Sequence, residues 1–159
     1  MKDKLPWDIK QECLWIVRGY DRRVKQYIAE RQDIIEAGGG NYVTYTHVEN
    51  GKPEERREYM PHSNNTGRPI EDKQSQLEAV EHYPETLKMR AVEHAKLRIG
   101  LDCAGEEVRQ RLADGIILNC ESGRKYPFEY LNLPEFSRMD FYRRKDTFLM
   151  DVAKFLRMI

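Results

Sequence analysis

Tyr126-Pro-Phe-Glu-Tyr-Leu131, Asn132-Leu-Pro-Glu-Phe136 and Ser137-Arg-Met-Asp-Phe-Tyr-Arg-Arg-Lys-Asp146, running on to Phe155-Leu156, decide the reading of this chain. A short apolar segment, a Pro-interrupted turn and a capped helix with a basic opening are the parts of a helix-turn-helix, whose second helix lies in the DNA major groove. Ser137 is a good N-cap, and Asp140 stands three residues on, where a capping box places its acid. With Phe141 as origin, Phe148, Val152, Phe155, Leu156 and Ile159 fall within about 60° of it at the helical step, as one buried stripe. Met139, Arg143, Asp146 and Met150 fall opposite. Tyr142 and Arg138 take one flank and Arg144 the other. Lys145 lies close to the stripe, so its stem should pack while its ammonium snorkels outward. The first two turns thus offer Arg138, Tyr142, Arg143 and Arg144 to a groove, and Arg makes the bidentate contact to guanine better than Lys does.

Working toward the N-terminus, a helix is expected from Asp102, as N-cap, to about Asn119. Val108, Leu112, Ile116 and Ile117 are its inner positions, and Ser122-Gly123 its stop. Gly115 inside it costs about 1 kcal/mol relative to Ala, which points to close packing against a neighbouring helix. Arg124 and Lys125 follow, where a helix-turn-helix meets the phosphate backbone. From Pro69 to about Ile99, Leu77, Val80, Leu87, Ala91, Val92, Ala95 and Ile99 share one helical face. Pro84 falls in register and reads as a kink or break. Glu71, Asp72, Glu78, Glu81, Glu85 and Glu93 read as a solvated face.

Residues 38–69 change character. Tyr42–Val48 is β-prone and Asn50-Gly51 is a hairpin turn signal, so either a small β-hairpin returning around Arg57–Met60 or an irregular arm is expected, with Pro61–Pro69 as a linker. Residues 6–37 read as one helix of roughly 45 Å. Pro6 suits its first position, and Gly38-Gly39-Gly40 its end. Its periodic positions are Ile9, Cys13, Ile16, Tyr20, Val24, Tyr27, Ile28, Ile34 and Ile35, with Trp7, Trp15 and the tyrosines read as core. The expected architecture is mainly α. A helical hairpin over 1–100, with its arm at 38–69, is followed by a helix-turn-helix domain over 101–159.

The 159 residues carry 27 Lys/Arg and 27 Asp/Glu, so a globally basic nucleic-acid coat is excluded. Residues 1–37 sum to +1, 38–123 to −4 and 124–159 to +3, which puts the modest basic excess at the proposed reader. Cys13, Cys103 and Cys120 are odd in number and lack a CxxC pair, which argues against a disulfide framework or a four-cysteine zinc site and fits a reducing cytoplasm. No run of about 18 apolar residues marks a membrane span. His47, His62, His82 and His94 have no metal-ligand spacing, and no phosphate loop, nucleophile elbow or dinucleotide fingerprint occurs. Neither catalytic residues nor a cofactor or metal are expected.

Two stretches carry a family resemblance. Leu5-Pro-Trp-Asp-Ile-Lys-Gln-Glu-Cys-Leu-Trp-Ile-Val-Arg-Gly-Tyr-Asp-Arg-Arg23 and the Ser137–Leu156 segment resemble the two ends of small phage and prophage proteins of low-GC Gram-positive bacteria, and Ala91-Val-Glu-His-Ala95 is more weakly similar. These are grouped with phage late-gene transcription activators of the RinA/ArpU type, whose C-terminal end resembles region 4 of sigma factors. The resemblance implies an all-helical regulator in the bacterial host cytoplasm, binding promoter double-stranded DNA or helping to recruit RNA polymerase. Carried over by position, Ser137 is the cap, and Arg138, Tyr142, Arg143 and Arg144 are the reader, with Arg124, Lys125 and Lys145 completing the candidate DNA contacts. Asp140 and Asp146 depart from the family, which is often more basic there, and residues 41–62 match nothing in it. The alternative reading is an interaction module whose helical hairpin docks on polymerase or a packaging protein. A homodimer through the first helix is a further option.

Overall fold

The computed structural model describes residues 4–36, 41–60 and 69–159. The protein is mainly helical: α1 (Trp7–Arg18), α2 (Tyr20–Glu36), α3 (Pro69–Glu81), α4 (Pro84–Leu97), α5 (Glu106–Glu121) and α6 (Arg138–Phe155), with strands β1 (Asn41–Glu49) and β2 (Lys52–Met60). The chain forms two compact units, residues 1–24 with 84–159, and residues 25–83. This grouping cuts across the division at residue 100 expected from sequence. α1 and α4 share one core with α5 and α6, so the segments on either side of that boundary fold together.

In the first unit the core is built from Cys13, Leu14, Ile16 and Val17 of α1, Ala91, Val92 and Ala95 of α4, Leu112, Ile116 and Cys120 of α5, and Phe141, Phe148, Leu149 and Val152 of α6. α6 touches α1, α4 and α5. It is the central helix of the unit. Its buried arc is rotated from the expected stripe: Leu149 and Ala153 are inside, while Phe155 and Ile159 are exposed. Three neighbours, set around α6 on more than one side, widen the arc toward Leu149 and Ala153, and Phe155 is left at its edge.

The expected single helix over 6–37 is divided at Gly19. Arg23, on the first turns of α2, turns its guanidinium back and donates from Nη1 to the Ile16 carbonyl at 2.7 Å and from Nε to Glu85 at 2.8 Å. A Cβ on Gly19 would lie 2.6 Å from that same Nη1, so the glycine makes room for the charge. Arg23 is therefore buried, with both a carbonyl and a carboxylate to satisfy it. Pro6 stands one position before α1, and its carbonyl accepts from the Lys10 N–H. The two tryptophans correct the expectation most sharply. Trp7 is 76% and Trp15 68% exposed, because the buried face of α1 is the Cys13–Val17 side.

Pro84 opens α4 after a break in which the His82 and Tyr83 amides bond three residues back. Its missing N–H is no loss at a helix start. Leu87, read as inward, is exposed, while Thr86 and Met89 are buried. The acidic residues are also more engaged than a solvated face. Glu93 accepts from the Tyr20 hydroxyl at 3.1 Å, and Glu85 takes the Arg23 pair. α5 starts at Glu106 rather than at Asp102, since Gly100 and Gly105 both adopt positive φ and the Asp102 carboxylate is engaged elsewhere. Arg109 then reaches back to the Ile99 and Leu97 carbonyls, closing the end of α4. Gly115 is packed closely, as its place in the helix implied, but against Leu133 and Leu131 of the connection to α6 and not against a helix.

In the second unit, α2 and α3 run antiparallel. Tyr27 and Arg31 meet Glu81, and Lys73 donates to the Ile35 carbonyl at 3.0 Å. β1 and β2 pair antiparallel, with Glu49 opposite Lys52. Asn50 at φ 55° and Gly51 at φ 77° make the two-residue turn. Both residues are left-handed, which matches the twist of the strands they join. The expected glycine stop at 38–40 and most of the 61–69 linker lie outside the described residues.

Candidate nucleic-acid interface

The first turn of α6 is fixed by its cap. Ser137 Oγ accepts from the Asp140 amide at 3.1 Å, satisfying one of the orphan donors of the helix start. Behind it, residues 122–137 connect α5 to α6 through one 3₁₀ turn, Phe128–Tyr130. A helix-turn-helix joins its helices by three or four residues. Here the apolar Tyr126–Leu131 segment that stood for the first helix is only that one turn, with Pro127 at its cap and Leu133 buried beyond it. Phe128 stacks on Phe141 at a centroid distance of 5.2 Å, which ties the connection to the core.

The eight candidate residues separate into two groups. Arg144 is held in the fold: it donates to both Asp102 oxygens at 2.7 and 2.8 Å and to Asp140 at 3.1 Å, over the Phe136 ring. Its side chain is 22% exposed. These hydrogen bonds draw the Asp102 carboxyl down to about 2 and raise the guanidinium pKa above its ordinary value. Lys145 corrects the snorkelling expectation. Its ammonium turns inward and donates at 2.7 Å to Asn119 Oδ1, while the Asn119 amide donates to the Tyr126 carbonyl at 2.8 Å. Burial lowers the Lys145 pKa. Ser137 serves as the cap.

In the second group Arg124, Lys125, Arg138 and Arg143 face outward, while Tyr142 is partly buried against the core. Arg138 is 67% and Arg143 61% exposed, paired with Glu129 and with Asp140 at 2.6 Å. Tyr142 packs edge-on against Phe141 and lies 5.4 Å under the Arg138 guanidinium. Arg124 and Lys125 are exposed, and neither has an ion pair among the described residues. Burial resists ionisation of Asp140, but the hydrogen bonds from Arg143 and Arg144 prevail and lower its pKa. Sequence reasoning placed Asp140 beside the reader but missed the pairing of Asp102 with Arg144 and of Glu129 with Arg138. Asp102 is 42 residues from Arg144 and Glu129 nine from Arg138, beyond any helical spacing that would announce the pair.

The Asp102 clamp has a pH signature. The folded carboxyl lies near 2, against about 3.9 when unfolded. Its contribution is complete above the unfolded value and is lost as the pH falls through 2. Asp102→Asn should flatten that part of the acid limb, seen as a urea midpoint that changes less between pH 5 and pH 2 (roughly the window between the two pKa values). An unchanged limb would remove the clamp from the account.

Among the described residues, no group of three or more His, Cys, Asp or Glu side chains is placed to hold a metal ion, and no helix is long and apolar enough to cross a membrane. Comparison with protein families, with curated proteins and with solved structures finds no match for the chain.

Proposed function

We propose that the protein is a phage-encoded, non-enzymatic regulator of transcription in a bacterial cytoplasm, which binds promoter DNA through the opening of α6. The observation that carries this reading is the Ser137-capped first turn with Arg138 and Arg143 on its open side. Their carboxylate partners do not disqualify them. Exposed ion pairs contribute about 0.2–1 kcal/mol, whereas a bidentate guanine contact discriminates by about 1–3 kcal/mol. DNA can therefore displace Glu129 and Asp140. Arg144 and Lys145 are less suited, since moving them would undo contacts within the fold. The direct contacts are assigned to Arg124, Lys125, Arg138, Tyr142 and Arg143.

Arg143→Ala should cost about 1–3 kcal/mol of affinity for a selected duplex, with the helical circular dichroism unchanged. Lys125→Ala should weaken all duplexes alike and make the salt dependence shallower by about one counterion. Selection from a genomic library with purified protein, at two salt concentrations, tests the reading. A flat result, with no enriched motif and no low-salt binding, would reject it.

A second reading draws on α1. Its exposed Trp7 and Trp15 are the residue type most enriched where binding energy concentrates at protein interfaces. In this reading the helical hairpin docks on polymerase or a packaging protein. A Trp7→Ala/Trp15→Ala variant that keeps DNA affinity but loses a polymerase subunit in pull-downs would favour it.

A further inference from the structure

An open cavity of about 600 Å³ lies in the first unit between the entry to α1 and the exposed face of α6. Lys4, just before α1, and Lys10, within it, bring two cations to it; Arg143 of α6 lies at its edge, held by Asp140 at 2.6 Å, and Asp146 is its one lining carboxylate. Leu5 and Met150 form its apolar wall. Lys10 holds Asp146 at 3.0 Å, and both side chains are solvent-accessible, so this is a weak pair that a stronger anion can replace. Among the described residues Lys4 has no carboxylate partner. The space is far larger than a single halide ion needs, and its apolar wall suits the carbon framework beside a charged group.

We propose that this cavity is a phosphate-binding site, with Lys4 and Lys10 as its cations and Asp146 as the internal carboxylate that the phosphate displaces, while Arg143 at its edge stays free for a base. In its fullest form, with a backbone phosphate of DNA as occupant, it rests on the reading above and adds the N-terminal segment to the surface. A free phosphate compound is the other source of the same chemistry. The convergence is invisible in sequence, because Lys4 and Lys10 stand at the opposite end of the chain from Asp146.

The test measures binding of a short random-sequence duplex at two salt concentrations, and separately of inorganic pyrophosphate, followed by the Lys10 and Thr147 amide resonances. Lys4→Ala/Lys10→Ala should lower duplex affinity at low salt by about tenfold and make the salt slope shallower by about one to two. Lys25→Ala/Lys154→Ala, a pair of exposed lysines outside the cavity with the same loss of charge, should change it much less. Asp146→Asn should tighten binding by about two- to fivefold. If the wild type binds the duplex and both double variants match it, the phosphate site is overturned while the DNA reading stands. If no duplex binds but pyrophosphate shifts those resonances in a lysine-dependent way, the site stands with a free phosphate as its ligand, and the DNA reading fails. If neither binds, both are overturned.

Discussion

Phe148→Ala is expected to lower the unfolding free energy by about 3–5 kcal/mol, the usual range for removing a large aromatic side chain from a packed core. The residue is 1% exposed and sits midway along α6, the helix that touches α1, α4 and α5. Truncation leaves a cavity at the meeting place of several elements, where collapse from one side cannot refill it. A domain of this kind holds only about 5–15 kcal/mol in total, so the variant should lose a large part of its margin and unfold at a much lower urea concentration. Phe148→Leu should recover more than half of the loss. Urea denaturation of the three proteins measures the difference. A loss below about 1 kcal/mol for Phe148→Ala, within the range of surface changes, would mean that α6 is not the centre of the fold.

The second large effect concerns the thiols. Burial pushes Cys120 up to about 12, with Lys145 and Arg18 offsetting only part of it. Burial, and then the charge of Glu12, push Cys13 up to about 11. Cys103 is only partly buried. Since the thiolate is the reacting form, Cys120 should resist alkylation in the folded protein and react only when the helices separate. Iodoacetamide labelling with peptide mass analysis should mark Cys103 first and leave the other two unmodified until denaturant is added. Equal labelling of all three in native buffer would contradict the packed arrangement of α1 and α5.

What could be read in advance follows physical range. The Asn50-Gly51 turn, the Ser137 cap and the break at Pro84 are set by residues within a few positions of the feature, so the sequence displays them directly. The break at Gly19 was missed because its cause is a side chain folding back from Arg23, and a helical wheel contains no such term. The tryptophans of α1 were misplaced for a related reason. Size and hydrophobicity argue for burial, but which face of α1 meets α5 and α6 is decided by those partners. Gly115 was flagged by its cost in a helix, and only the structure identifies Leu131 and Leu133 as what it accommodates. The proposed interface shows the same limit. Its arginines stand out in the chain, while Asp102, Glu129 and Asn119, which decide which of the cations stay available, are unremarkable until the fold brings them near.

The placement of α6 has a consequence for genetics. One helix supplies both the centre of the core and the open side that carries Arg138 and Arg143. Random loss-of-function alleles should therefore pile up along this helix in two kinds. Those at Phe141, Phe148, Leu149, Val152 and Ala153 should reduce cellular protein levels, because small stability losses are amplified by proteolysis. Those at Arg138 and Arg143 should leave abundance normal. Activity alone would merge the two kinds into one apparent hot region, and an abundance measurement on each allele would separate them.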